Sequence, residues 1–311
     1  MKKFVSIVCL LAFVALMFSG CKSGEYDKGV KLQEEGKYSE AVSVFEGIDD
    51  YQSYKDTADR IEDCNAMIAA IDKYDTSKKS AEQKNTSLDK AVSDADAVIK
   101  KGEKALDDTL YSKLETSVSS TKAAKQNIPE MPSTEEEILS TVNKIDAIDY
   151  TKVLEDLSAS QKALEKSIKQ YALVNAPTEA YVIKCLEKVD HITGISAVTE
   201  DNDPNGNLNK AGGYTATVYF ADDRVPDDKV ESKGKTIIDK GTDGGGAIEV
   251  YANEEDVKKR NDYLTGFDGG IFASGSHKVI GTVLIRTSDH LTASQQKELE
   301  TAIVEALTKV D

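Results

Sequence analysis

The feature that most constrains this chain is a change of period near residue 175. Before it, apolar residues recur every three or four positions. Leu88, Val92, Ala95, Ile99, Leu106, Leu110, Leu114 and Val118 form one stripe, and Ile138, Val142, Ile145, Ile148, Leu154, Leu157, Leu164 and Ile168 form another. Such spacing places side chains on one face of a helix, with Lys, Asp, Glu and Ser on the rest. After residue 175 the pattern gives way to runs of Val, Ile, Tyr and Thr broken by Gly, Asn and Asp, the mark of strands and turns. One chain therefore carries two structural regimes, an all-α N-terminal half and an α+β C-terminal domain.

The two stripes occupy residues 75–172, read as a helical stalk. Pro129 and Pro132 are expected to end its first long helix, with Gly102 as a kink, and Ser133 with Glu136 to cap the next one in a capping box. An unbroken helix over 80–127 would span about 70 Å. The stripes should pack against each other as an antiparallel, coiled-coil-like hairpin. In the domain over 175–311, Thr178 to Val189 reads as a helix, and "GISAVT", "YTATVYF" and "AIEVYA" as strands. "TIID" could add a short strand. Asn253 caps "EEDVKKRNDYL", "HKVIGTVLIRTS" returns as a strand, and Thr292 with Gln295 caps a last helix. The expected domain is a mainly antiparallel sheet with helices on one face, of a size to fold alone from Asn175 onward.

At the other end, Lys2 and Lys3 precede an uncharged apolar run from Phe4 to Phe18, too short for a standard membrane helix but of the length of a secretory signal. Its ending, Phe18-Ser19-Gly20-Cys21, resembles the lipobox of bacterial lipoproteins, with Phe18 where Leu is commoner. The resemblance implies a signal peptide over 1–20, cleavage before Cys21, a diacylglyceryl thioether on Cys21 and an acylated (palmitate-type) amino terminus. Residues 21–25 then read as a lipidated tether, and the protein as anchored on the outer face of the cell membrane. The competing reading is an ordinary secreted protein in which Cys21 is incidental. Two acyl chains hold a protein on a bilayer stably, where one does so only marginally.

Residues 26–74 contain "VKLQEEGKYSEAVSVFEGIDDY", whose Gly36, Tyr38, Ala41 and Phe45 resemble a tetratricopeptide helix hairpin. "YKDTADRIEDC" resembles the segment that follows such hairpins in surface lipoproteins of monoderm bacteria. A single repeat does not make a stable peptide-binding array, so a packing cap is the better reading. The C-terminal "NAPTEAYVIKCL", "TEDNDPNGNLNKAGGYTATVYF", "GGGAIEVYANEEDVKKR" and "IGTVLIRTSDHLTASQQ" resemble an uncharacterised domain of monoderm surface proteins. That resemblance implies a class of protein rather than a chemistry.

Cleavage before Cys21 would leave 37 basic against 55 acidic residues, a net charge of −18. This disfavours nucleic acid as a partner, leaving the membrane and an unidentified envelope or protein partner. Of four cysteines, Cys64 and Cys185 remain outside the signal and lipobox; a single disulfide between them is one reading, and two buried thiols the plainer one. In "EDNDPNGNLNKAGG" the oxygens of Asp201, Asp203, Asn205 and Asn207 alternate as in a calcium loop. Gly212, however, stands where the bidentate Glu should close it. The alternative is a hairpin loop whose Asx side chains bond their own backbone, with no cofactor, in which Asp203→Ala is expected to melt like the parent.

Glu249 and Arg286 fall in separate strands, readable as a cross-strand ion pair or as a clamp for a ligand carboxylate. The glycines of "TDGGGAIEV" precede a strand and suit close backbone approach better than a phosphate cradle. His191, His277 and His290 lie in no catalytic or metal spacing, and in Ser274-Gly275-Ser276-His277 adjacent side chains point to opposite faces. The leading expectation is a non-enzymatic lipoprotein presenting its C-terminal module on a stalk. A solute- or peptide-binding lipoprotein and an envelope hydrolase are the alternatives.

Overall fold

The computed structural model describes residues 21–230, 235–269 and 275–310. The expected signal peptide and Ser274 lie outside them. An α-rich N-terminal region is followed by an α+β domain, as the change of period requires. The chain divides into two compact units, one comprising residues up to 87 and 125–150, the other 88–124 and 151–311. This division does not follow the borders expected at 74/75 and 172/175.

In the first unit, α1 (Lys22–Glu34) and α2 (Tyr38–Glu46) form a helical hairpin that turns at Gly36, whose φ is +73°. Ala41, Phe45, Ile48 and Cys64 are buried together, with Tyr26, Val30, Tyr38 and Tyr54 around them. Gly29 makes this approach possible: a Cβ there would meet the Phe45 ring at 2.4 Å. Residues 22–25, expected as a tether, form instead the first turn of α1. Gly24 N donates to Cys21 O at 2.7 Å, so that Cys21 is the N-cap.

α3 (Thr57–Lys101) follows, and Gly102, at φ +60°, ends it where a kink was expected. α4 (Thr109–Ala124) is thus a separate helix that stops before Pro129 and Pro132. α5 (Glu135–Asp146) is capped one residue later than expected, by Thr134, whose Oγ1 accepts from Glu137 N and donates to Glu137 Oε2. Side chains tie this part of the first unit together. Tyr74 OH donates to Pro129 O at 2.8 Å and Tyr150 OH to Asn85 Oδ1 at 2.7 Å.

In the second unit α6 (Thr151–Val174) packs antiparallel on α4, burying Leu114 and Val118 with Leu157 and Leu164. Ser117 meets Ser160 at 2.7 Å, and Asp107 N donates to Ser167 Oγ at 2.8 Å. The expected antiparallel pairing of stripes therefore exists here, between α4 and α6.

The sheet follows α7 (Glu179–Leu186), which Thr178 caps. It comprises β1 (Ile192–Ala197), β2 (Tyr214–Asp222), β3 (Gly245–Tyr251), β4 (His277–Ile280) and β5 (Val283–Thr287), in the order β1-β2-β3-β5-β4, all antiparallel. "HKVIGTVLIRTS" is thus a tight hairpin of two strands. "TIID" is the helix α8 (Ile237–Lys240), not a strand, because Thr236 and Asp239 close a capping box around it. α9 (Glu254–Thr265) and α10 (Ala293–Leu307) start at Asn253 and Thr292 as read from the sequence.

Helices cover both faces of the sheet, not one. α7 and α10 bury Ala216, Val218, Phe220, Ile248, Val250, Val283 and Ile285 on the first face. On the second, α9 covers Tyr214, Tyr251 and Leu284, and α8 with the loop before β2 covers Tyr219 and Ala247. All seven residues of β3 are consequently buried, which erases the alternation expected of a strand with one wet face. Gly245 and Gly246 are required by strand approach. A Cβ on Gly246 would lie 2.3 Å from Arg286 O, and one on Gly245 2.6 Å from Phe220 O.

Candidate functional site

The second face of the sheet holds the polar residues that the sequence singled out. The loop before β2 is organised by Asp203. One carboxylate oxygen accepts Asn205 N at 3.0 Å and the Tyr214 hydroxyl; the other accepts Asn207 N at 2.6 Å and Leu208 N at 2.8 Å. Burial alone pushes this carboxyl up, but the Tyr214 hydroxyl and the three amides outweigh it and hold it below the ordinary aspartate value. Asn205 Nδ2 faces the hydroxyls of Tyr214 and Tyr219 at 3.5 Å each, while Asp201 and Asn207 are exposed. Asp203 therefore spends both its oxygens on its own loop. This is the Asx arrangement, with the loop's own amides and the Tyr214 hydroxyl on the carboxylate. Gly212, at φ +74°, serves the turn.

Glu249 is the most deeply buried charge on this face, 1% exposed. Across β3 and β5 it is the diagonal neighbour of Arg286, since Glu249 lies opposite Leu284. Arg286 Nη1 donates to its Oε1 at 3.1 Å. From α9, Arg260 donates through Nε to Oε2 at 3.0 Å and through Nη2 to Oε1 at 3.1 Å. Tyr251 OH adds a bond to Oε2 at 2.7 Å. Burial pushes the Glu249 carboxyl up, but the charge and hydrogen bonds of Arg260, then Arg286 and Tyr251, hold it below its ordinary value. The Tyr251 hydroxyl is pushed up, first by burial and then by this carboxylate. Thr217, opposite Glu249 on β2, keeps its buried hydroxyl without a hydrogen-bond partner.

Glu249 and Arg286 are thus brought together as a cross-strand ion pair, to which Arg260 adds a second cation. The sequence carries a signal for Arg260. Val257, Arg260 and Leu264 fall at steps of three and four, which puts a cation on the buried stripe of α9 and calls for an internal counter-charge.

The histidines are separated. His277 Nδ1 meets Asn261 Oδ1 at 2.8 Å and its Nε2 meets Asp268 at 3.2 Å, whereas Ser276 Oγ turns away to Thr287 Oγ1 at 2.8 Å. His191 Nδ1 meets Asp223 Oδ1 at 2.9 Å on the rim of a cleft of about 320 Å³ between the turn after α7 and α10. Lys188, Glu298 and Lys309 share that rim over Val189, Leu299 and Ala302. Its Arg224 is held by Asp222 at 2.7 Å and Glu298 at 3.0 Å. Among the described residues no three His, Cys, Asp or Glu side chains assemble as a metal set.

Cys64 and Cys185 are buried free thiols, and burial pushes both up. Cys21 is exposed, with no side-chain bond into the helix it starts. No family model, no curated protein and no solved structure matches the chain.

Proposed function

We propose that this protein is a lipoprotein held on the outer face of a cell membrane through Cys21, and that it acts by binding or envelope organisation rather than by catalysis. The observation that carries the reading is the apolar run ending in Ser19-Gly20-Cys21. The exposure of Cys21 is compatible with acylation. In the C-terminal domain Glu249 is held by Arg260 and Arg286, and Asp203 by its own loop, which supports a module that presents a surface.

Growth with an alkyne fatty acid tests the reading. Label should enter the wild-type chain and be lost in Cys21→Ser, which should stay unprocessed or be shed. Equal label on both proteins would overturn it. A second reading, capture of a small solute or peptide, draws on the charged rim and apolar floor of the cleft beside α10, whose volume suits such a ligand.

A further inference from the structure

Because the residue after Cys21 is already helical, the lipid anchor is joined to the first unit without slack. A flexible tether of n residues reaches about 5–6 Å times the square root of n. Here α1 begins at Lys22 and its first turn bonds back onto the Cys21 carbonyl. Whatever part of the first unit surrounds Cys21 is then held at the depth of the lipid headgroups.

That part is the segment between α2 and α3, fixed to the start of α1 by several contacts. Lys22 Nζ lies 3.5 Å from Asp50, and the Tyr26 and Tyr54 rings meet edge-on at 6.1 Å. Lys55 Nζ sits 3.8 Å over the Tyr26 ring, and Tyr26 OH donates to Asp56. Between them Tyr51–Ser53 makes a single 3-10 turn, with Asp50 and Lys55 both in the left-handed region, at φ +55° and +53°. Tyr26, Tyr51 and Tyr54 pack their rings on the core of the first unit and hold the turn rigid, which leaves Gln52, Ser53 and Lys55 exposed around it.

We infer that the Tyr51–Lys55 turn, together with Lys22, is a seat on the bilayer surface, and that the anchor presses it against the headgroups. The inference rests on the lipid anchor proposed above. Lys22 and Lys55 face the three carboxylates of Asp49, Asp50 and Asp56, so the short anchor rather than charge holds the turn there, and anionic lipid should not strengthen the contact.

The chain contains no tryptophan, so one introduced residue reports alone. Gln52, in the turn, and Ser39, at the far end of the α1–α2 hairpin, are both exposed. The 13-residue α1 separates the two ends by roughly 20 Å. Full-length lipidated Gln52→Trp and Ser39→Trp would be placed in vesicles of phosphatidylcholine and phosphatidylglycerol, with and without brominated acyl chains, and each preparation checked for its acyl label. The Gln52→Trp emission should shift to the blue and be quenched by brominated lipid, and no more strongly as the phosphatidylglycerol fraction rises. Ser39→Trp should stay unquenched. Six Gly and Ser residues inserted after Cys21 should relieve the quenching at position 52. Labelled, vesicle-bound protein with positions 52 and 39 quenched alike would overturn the seat while leaving the anchor standing. Protein without label would overturn both.

Discussion

Replacing Glu249 by Gln keeps the shape of the side chain, removes its charge and sets an NH2 donor against groups that already donate. Arg260 and Arg286 would then lose the carboxylate they share at a 1%-exposed position. Breaking a buried ion pair by removing one partner costs about 3–5 kcal/mol, most of it the penalty of the charge left behind. At 1.4 kcal/mol per decade this is roughly a hundredfold to a few thousandfold. The assay is hydrogen exchange of the β3 peptide Gly245–Tyr251, which reads opening of this sheet independently of the first unit. The soluble chain beginning at Lys22 would lose about three decades of protection there on Glu249→Gln. Asp262→Asn, which breaks an exposed pair with Lys258, should cost under about 1 kcal/mol. The triple change Glu249→Leu, Arg260→Met, Arg286→Leu should recover most of the loss, because apolar side chains of similar volume replace a buried ionic cluster at little cost. A loss below about 1 kcal/mol for Glu249→Gln would refute the lock. No recovery in the triple variant would show that the charges serve something other than packing.

Acid should act through the same groups. Asp203 and Glu249 both titrate lower folded than unfolded, so their stabilisation is complete above the ordinary values of 3.8 and 4.5 and is lost as pH falls through the lower folded values. The acid limb of a stability–pH curve should flatten in Asp203→Asn and in Glu249→Gln; unchanged limbs would contradict those shifts. Asp203→Ala, expected from sequence to be silent, should instead cost about 1–3 kcal/mol by stranding three loop amides, equally in calcium and in chelator. A calcium-dependent rise in the parent's melting temperature, abolished by the substitution, would refute this. A fragment starting at Asn175 should be less stable than one starting at Leu173 by about 2–4 kcal/mol. It lacks the buried Val174 side chain and the carbonyl that accepts Thr282 N at 3.0 Å. Equal urea midpoints would show that Val174 is dispensable.

The places where sequence and structure part company have physical causes. The caps at Asn253 and at Thr292 with Gln295 were legible because capping is local, carried by residues three apart. Gly102 was misjudged as a kink because a stripe continuing past it looks the same whether one helix or two lie beneath. The single-faced sheet failed for a subtler reason. Glu249 and Arg286 look like solvent-facing residues in alternating strands, yet α9 covers them and Arg260 makes that burial tolerable. Pairing Glu249 with Arg286 needed only the strand assignments, whereas the Tyr251 and Tyr214 hydroxyls depended on register. The bulge between Tyr214 and Ala216 turns Tyr214 onto the second face, and no sequence period announces it. "HKVIGTVLIRTS" hid a hairpin because Gly281-Thr282 sits inside a continuous apolar run.

The central claim is the acylation of Cys21, and the mass of the mature protein purified from membranes tests it most directly. The account predicts a chain that starts at Cys21 and carries the added mass of a diacylglyceryl group on its sulfur, with a further acyl group on its amine where the cell adds one. A mature chain with an unmodified Cys21, or one retaining Lys2 and Lys3, would contradict it.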